Sequence, residues 1–135
     1  MVPLAVLKEL AAGAFESQAA YLRHYEIGDL IEVRAPSQPK PEDAFTRRLD
    51  EGERQAIRLA LERGLPLLVE EQAGRVVARE LGLKISGIAG QVLRSVRANV
   101  LLPAEAKETL VQLKTAGRIN RQVFEAVRRA INDAV

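Results

Sequence analysis

The stretch from Leu49 to Glu71 places a capped helix directly before a strand, and this constrains the fold more than any other feature of the chain. Asp50 is a strong N-cap, and Glu53 stands three residues on, the spacing of a capping box. Ile57 and Leu61, with Ala56 and Ala60, recur at the helical period and predict the inner face. Gly64 predicts a left-handed stop. Residues 65–69 are an unbroken apolar run, the mark of a strand buried on both faces, and the run ends in Glu70 and Glu71. Strand, helix and strand in alternation call for a parallel sheet with right-handed crossovers. In such a fold, acids at a helix start and at a strand end can share one sheet edge. Clustered carboxylates there suit a hard divalent cation, Mg²⁺ or Mn²⁺.

The remainder reads as helices with short strands between them. Pro3 predicts a helix to about Leu10, with Val2, Val6 and Leu10 on its buried side. A second helical stretch covers about residues 15–25, with Phe15, Ala19 and Leu22 on one side. Residues 30–33 are a strand candidate, and residues 36–41 hold three prolines in an extended surface loop. A helix over about 73–81 should turn Val76, Val77 and Leu81 inward and stop at Gly82. Residues 84–86 form another strand candidate. Three helices follow near 87–99, 103–115 and 120–134. Pro103 starts one and Gly117 follows it; Asn120 caps the last, which carries the stripe Val123, Val127, Ile131 and Ala134. The fold class is α/β and helix-rich, with a short parallel sheet flanked by helices.

Composition narrows the chemistry. With no cysteine and only His24 as histidine, disulfides, zinc–thiolate sites, thiol catalysis and multi-histidine metal sites are excluded. His24 reads as structural. No apolar run approaches the roughly 18 residues of a membrane span, and no basic-then-apolar leader opens the sequence. A cytoplasmic protein without a membrane partner is the expectation. Charge is divided along the chain. Residues 1–74 hold 9 Lys/Arg against 13 Asp/Glu, a balance of −4, and residues 75–135 hold 11 against 5, a balance of +6. An acidic half for metal and a basic half for phosphates would suit a nuclease, whereas solvated helix faces would carry the same charges.

Residues 49–60 (LDEGERQAIRLA) resemble the L-D-x-G-E-x-x-A-I-x-L-A motif of a PIN-domain-like group related to the VapC-type toxin ribonucleases. Residues 67–75 (LLVEEQAGR) resemble that group's strand ending in two aspartates, followed by a helix with a similarly placed arginine. Residues 81–103 resemble its L-G-L-x-x-x-G-x-x-G segment and the next helix, and residues 117–131 its closing helix. Residues 3–10 resemble the P-x-x-V-x-x-E-L helix that carries the family's second acid.

The resemblance implies a three-layer PIN-like fold over residues 1–135 and cleavage of RNA with carboxylate-held Mg²⁺ or Mn²⁺. Its partners would be RNA, a small protein antitoxin and a second copy in a homodimer. Glu9, Glu53, Glu70 and Glu71 take the positions of the family's metal-binding, catalytic acids. Arg75 takes the position of a basic residue near them, and Arg94 and Arg97 lie on a polar helix side that would track RNA. Two departures stand out. Glutamates replace both aspartates of the pair, moving each carboxylate out by about 1.5 Å, one C–C bond. The family's first strand, with its D-T-S-like motif and leading aspartate, has no counterpart, so the domain reads as amino-terminally truncated. These departures support an alternative, a degenerate, non-catalytic PIN-like module for binding or dimerisation. A small basic DNA-binding module is disfavoured by the lack of a helix-turn-helix signature. Ordinary structural roles remain beside the functional ones. Glu53 with Asp50 would serve as a helix cap, Glu70 and Glu71 as a solvated strand end, and Glu9 and the arginines as surface charges. Alternation along a strand would let at most one of Glu70 and Glu71 face a site.

Overall fold

A computed structural model describes residues 1–37 and 49–134 as two compact units, Met1–Ile85 and Ser86–Val135. The fold is helix-rich α/β, with seven helices and four short strands among the described residues. The first unit runs β1 (Val2–Pro3), α1 (Leu4–Ala11), α2 (Gln18–His24), β2 (Val33–Arg34), α3 (Glu51–Arg63), β3 (Leu67–Leu68) and α4 (Gln72–Glu80), and reaches β4 (Ile85–Ser86) at its end. The second holds α5 (Ile88–Arg97), α6 (Pro103–Thr115) and α7 (Arg121–Asp133).

The strands form two pairs. β1 lies parallel to β2, with Val2 opposite Val33 and Pro3 opposite Arg34. β3 pairs with β4, and the Leu67 N–H donates to the Lys84 carbonyl at 2.8 Å. Proline explains their brevity. Pro3 and Pro66 have no N–H to give a ladder, and Pro36 follows closely on β2. The five-residue apolar run expected at 65–69 therefore pairs only at Leu67–Leu68. Nor is it buried on both faces. Leu67 is buried while Leu65 and Leu68 are exposed, so only Leu67 of the pairing residues faces the core. Most of the proline-rich stretch 36–41 lies outside the described residues.

Helix boundaries follow local chemistry closely. Asp50 Oδ1 accepts from the Glu53 N–H at 2.8 Å, and Glu53 Oε2 accepts from the Asp50 N–H at 3.3 Å, so the capping box forms. Gly64 ends α3 at φ 63°, a left-handed conformation that glycine adopts without strain. Asn120 Oδ1 accepts from the Val123 N–H at 2.8 Å and caps α7, and Pro103 opens α6.

Several inward faces differ from expectation by one step around the helix. In α1 the buried residues are Ala5, Leu7 and Ala11, and Leu10 is exposed. Val2 belongs to β1, so a four-residue repeat counted from it does not carry into the helix. Leu61 of α3 is exposed and Leu59 is buried in its place. α4 turns Gly74, Val77 and Ala78 inward, leaving Val76 and the C-cap Leu81 exposed. α7 buries Phe124 and Ile131 with Val127 beside them, whereas Val123 and Ala134 face solvent.

The first unit's core joins Leu49, Ile57, Ala60, Leu67, Val77 and Ala78. Phe15, Tyr21, His24 and Tyr25 form a ring cluster at its surface, with His24 4.8 Å from Tyr25 between centroids, so His24 packs among aromatics. In the second unit α5, α6 and α7 pack on one another around Ala106, Leu110 and Ile131, all with no exposed surface. Among the described residues no helix is long and apolar enough to cross a membrane.

Candidate functional site

Three segments far apart in sequence meet in the first unit around a cavity of about 220 Å³. Glu9 comes from α1, Asp50 and Glu53 from the start of α3, and Glu70 and Glu71 from the turn between β3 and α4. Val6, Ala56, Ile57, Leu67, Leu68 and Val69 supply apolar wall.

Each acid has a local reason for its place. α1 packs on α3, and the contact is fixed at one end by Gln55, whose Oε1 accepts from the Ala5 N–H at 3.1 Å. That N–H lies in the first turn of α1, where no intrahelical acceptor exists. Further along α1, the Glu9 carboxylate rests against Gly52 in the first turn of α3. A Cβ at Gly52 would stand 2.7 Å from Glu9 Oε1 and 2.9 Å from Oε2. Only a residue without a side chain admits the carboxylate in this position, next to the positive end of the α3 dipole.

Gly74, in the first turn of α4, is tight for a different reason: a Cβ there would stand 3.0 Å from Val69 Cγ2, with Glu53 Oε1 at an ordinary 3.4 Å. Glu53 Oε2 is held in the capping box. Burial pushes the Glu53 carboxyl above the ordinary carboxylate range, and the charge of Asp50 pushes it further. The hydrogen bond from the Asp50 backbone works against the rise, and the charges of Glu71 and Glu9 add to it. Glu53 therefore feels three other carboxylates at once.

Glu70 and Glu71 both line the cavity. The alternation argument does not reach them, because β3 ends at Leu68 and Glu71 is already the N-cap of α4. Arg75 Nη1 donates to the Val69 carbonyl at 2.9 Å, which ties α4 to the strand end behind the acids. Arg94 and Arg97 are exposed on α5 and belong to the second unit. Sequence reasoning gave Asp50 a capping role alone, yet it also lines the cavity and acts on Glu53. The roles of Gly52 and Gly74 were missed; the available signal was a glycine early in a helix with no turn to require it.

Among the described residues no three acids or histidines close around a single point. The donor set still matches a hard cation: every polar group is a carboxylate, several are close enough to repel, and nitrogen and sulfur ligands are absent from the lining. Mg²⁺ commonly takes one or two carboxylates and completes its shell with water and substrate phosphate, so a closed three-acid cage is unnecessary.

A family model described as a PIN domain matches residues 1–133, and the chain belongs to that family. No curated protein and no solved structure matches. Membership brings a nuclease-type function and a general dependence on divalent metal, and it brings nucleic acid as the class of partner.

Proposed function

We propose that this PIN-domain chain is a metal-dependent ribonuclease of the toxin type, acting in the cytoplasm, hydrolysing RNA phosphodiester bonds and neutralised by a small protein antitoxin. The observation that carries the proposal is the convergence of Glu9, Glu53, Glu70 and Glu71 on one cavity from three separate segments. A solvated surface charge at Glu9 would not require a glycine at position 52 to make room for it.

In this reading Glu9, Glu53, Glu70 and Glu71 hold Mg²⁺ or Mn²⁺. The ion supplies Lewis-acid stabilisation of charge on the phosphodiester. The residues do the rest. Glu9 and Glu53 are positioned before any ligand arrives, by Gly52 and by the capping box. Burial, helped by the charges of Asp50, Glu71 and Glu9, raises the Glu53 carboxyl above the ordinary range, which suits it to accept a proton at Oε1. The apolar wall of Val69 and Leu68 limits water on one side. Arg75 holds the turn that presents Glu70 and Glu71, and its remaining N–H groups suit a flanking phosphate. Arg94 and Arg97 would add sequence-independent, salt-sensitive contacts to RNA.

The test is RNA cleavage with Mn²⁺ by the chain and by Glu53→Gln. Glutamine at this position keeps the capping box while losing the charge. Cleavage should fall by at least about a hundredfold, the scale on which removing a positioned acid–base group acts, with the fold unchanged by circular dichroism. Equal activity would defeat the proposal.

The second reading, a non-catalytic PIN-like module for binding or dimerisation, is favoured by one observation: no three acids close on a point. Calorimetry with Mn²⁺ separates the two. Binding lost in Glu53→Gln supports the nuclease, and absence of binding in both chains supports the module.

A further inference from the structure

We infer that the second unit carries a nucleic-acid phosphate-binding face over α6 and α7, formed by Lys107, Lys114, Arg118, Arg121 and Arg128 around the ring of Phe124. Lys114 Nζ lies 4.6 Å from the centroid of that ring, and Arg128 Cζ lies 5.6 Å from it. The two charges come from different helices and stand no farther apart than about 10 Å, the Debye length at 0.1 M salt. They repel, and the face of a buried ring gives each only a modest compensation.

The rest of the patch follows from helix geometry. Lys107 and Lys114 are seven residues apart on α6, and Arg121 and Arg128 are seven apart on α7, so each pair shares a helix side. Arg118 stands in the turn between the two helices. Of these five cations only Arg128 is in an ion pair among the described residues, with Glu125 at 2.7 Å. In the first unit three arginines near its acids are held by partners. Arg34 is paired with Glu32, Arg54 with Glu51, and Arg75 with a backbone carbonyl. Over residues 86–135 the sequence has 8 Lys/Arg against 4 Asp/Glu, so few acids are present to neutralise the patch.

The chemistry selects the partner. A lipid surface would require a continuous apolar helix face to insert; the core takes most of that of α6 and α7, and one exposed valine on each, Val111 and Val123, does not make such a face. A protein interface would have an apolar or aromatic centre, and the one ring here is buried. A chain of phosphodiesters needs only spaced cations able to replace its counterions.

The experiment is fluorescence anisotropy of a labelled oligo-uridine of about twenty nucleotides with the full chain, in chelator, across a salt series. Without metal the readout is independent of cleavage, so it stands or falls apart from the proposed activity. Lys114→Gln and Arg121→Gln should each lower the slope of log affinity against log salt by about 0.7, or about fivefold in affinity at 0.1 M salt. Lys114→Arg should restore it. Glu125→Gln releases Arg128 and should tighten binding, an outcome that damage to the fold would not produce. Slopes unchanged in all variants, no binding by the wild type, or stronger binding to polyglutamate or anionic vesicles than to RNA would each overturn the inference.

Discussion

The two units handle charge in opposite ways. The first gathers acids where they repel, wedging Glu9 against the helix backbone at Gly52. Among the described residues the second leaves its cations, Arg128 apart, without an acid partner on the surface of a small helical bundle with an apolar centre. The proposed binding face of the second unit shares only Phe124 with its interior, whereas in the first unit site and interior share several residues. Asp50 and Glu53 start a helix and also line the cavity, and Ile57 and Leu67 are core and wall together. A substitution in the first unit should therefore disturb stability and binding jointly, and in the second unit one or the other.

The largest expected effect tests that separation. Ile131 has no exposed surface, and Ile131→Ala should destabilise the second unit by about 2–5 kcal/mol. Both tyrosines, Tyr21 and Tyr25, lie in the first unit and the chain has no tryptophan, so tyrosine fluorescence follows that unit alone. The far-ultraviolet dichroism transition should move and the tyrosine transition should stay. If both moved together the comparison would break. Asp50→Ala is next, with a loss of about 1 kcal/mol from the missing cap, read by urea melts, together with weaker Mn²⁺ binding. A stability loss without any change in binding would show that capping and cavity are separable after all.

Gly52→Ala sharpens the contrast from the other side. The added methyl must displace the Glu9 carboxylate, whose flexible stem can yield. Alanine is better than glycine inside a helix by about 1 kcal/mol, so stability should change by less than that while calorimetric Mn²⁺ binding drops. Retained binding would mean that Glu9 is not a ligand. The smallest effect concerns pH. Because the Glu53 carboxyl is raised in the folded chain, its contribution to stability is present below the ordinary carboxyl pKa and is lost as pH rises through the raised value. In chelator, Glu53→Gln should gain on the wild type as pH rises from the ordinary carboxyl range through the raised value. A difference constant with pH would argue against the crowding.

What could be read from the sequence was what depends on neighbours along the chain. Asp50, Glu53, Gly64, Pro103 and Asn120 set helix ends through bonds spanning a few residues, and they do so as expected. The four glutamates stood in the family's order, and all of them line the cavity. The side of each helix that faces inward was less legible. Leu10, Leu61, Val76 and Val123 fit an apolar stripe as well as their neighbours do, and only the packing partner decides. Gly52 was silent for the same reason, since it matters through the Glu9 carboxylate of a distant segment. Strand length was misjudged because apolar character outweighed the missing N–H of Pro66.

The bond from Gln55 to the Ala5 amide has a consequence for how this protein can be watched. Glu9 lies on the same short helix as that amide, about one turn further along and beyond. Any occupant that draws Glu9 pulls on α1, and α1 is anchored to α3 at its other end by this bond. The Ala5 amide proton is thus a built-in spectroscopic tag for the cavity, carried by a residue that never touches it. Its chemical shift and its exchange with solvent should follow cation titration without labels or substrate.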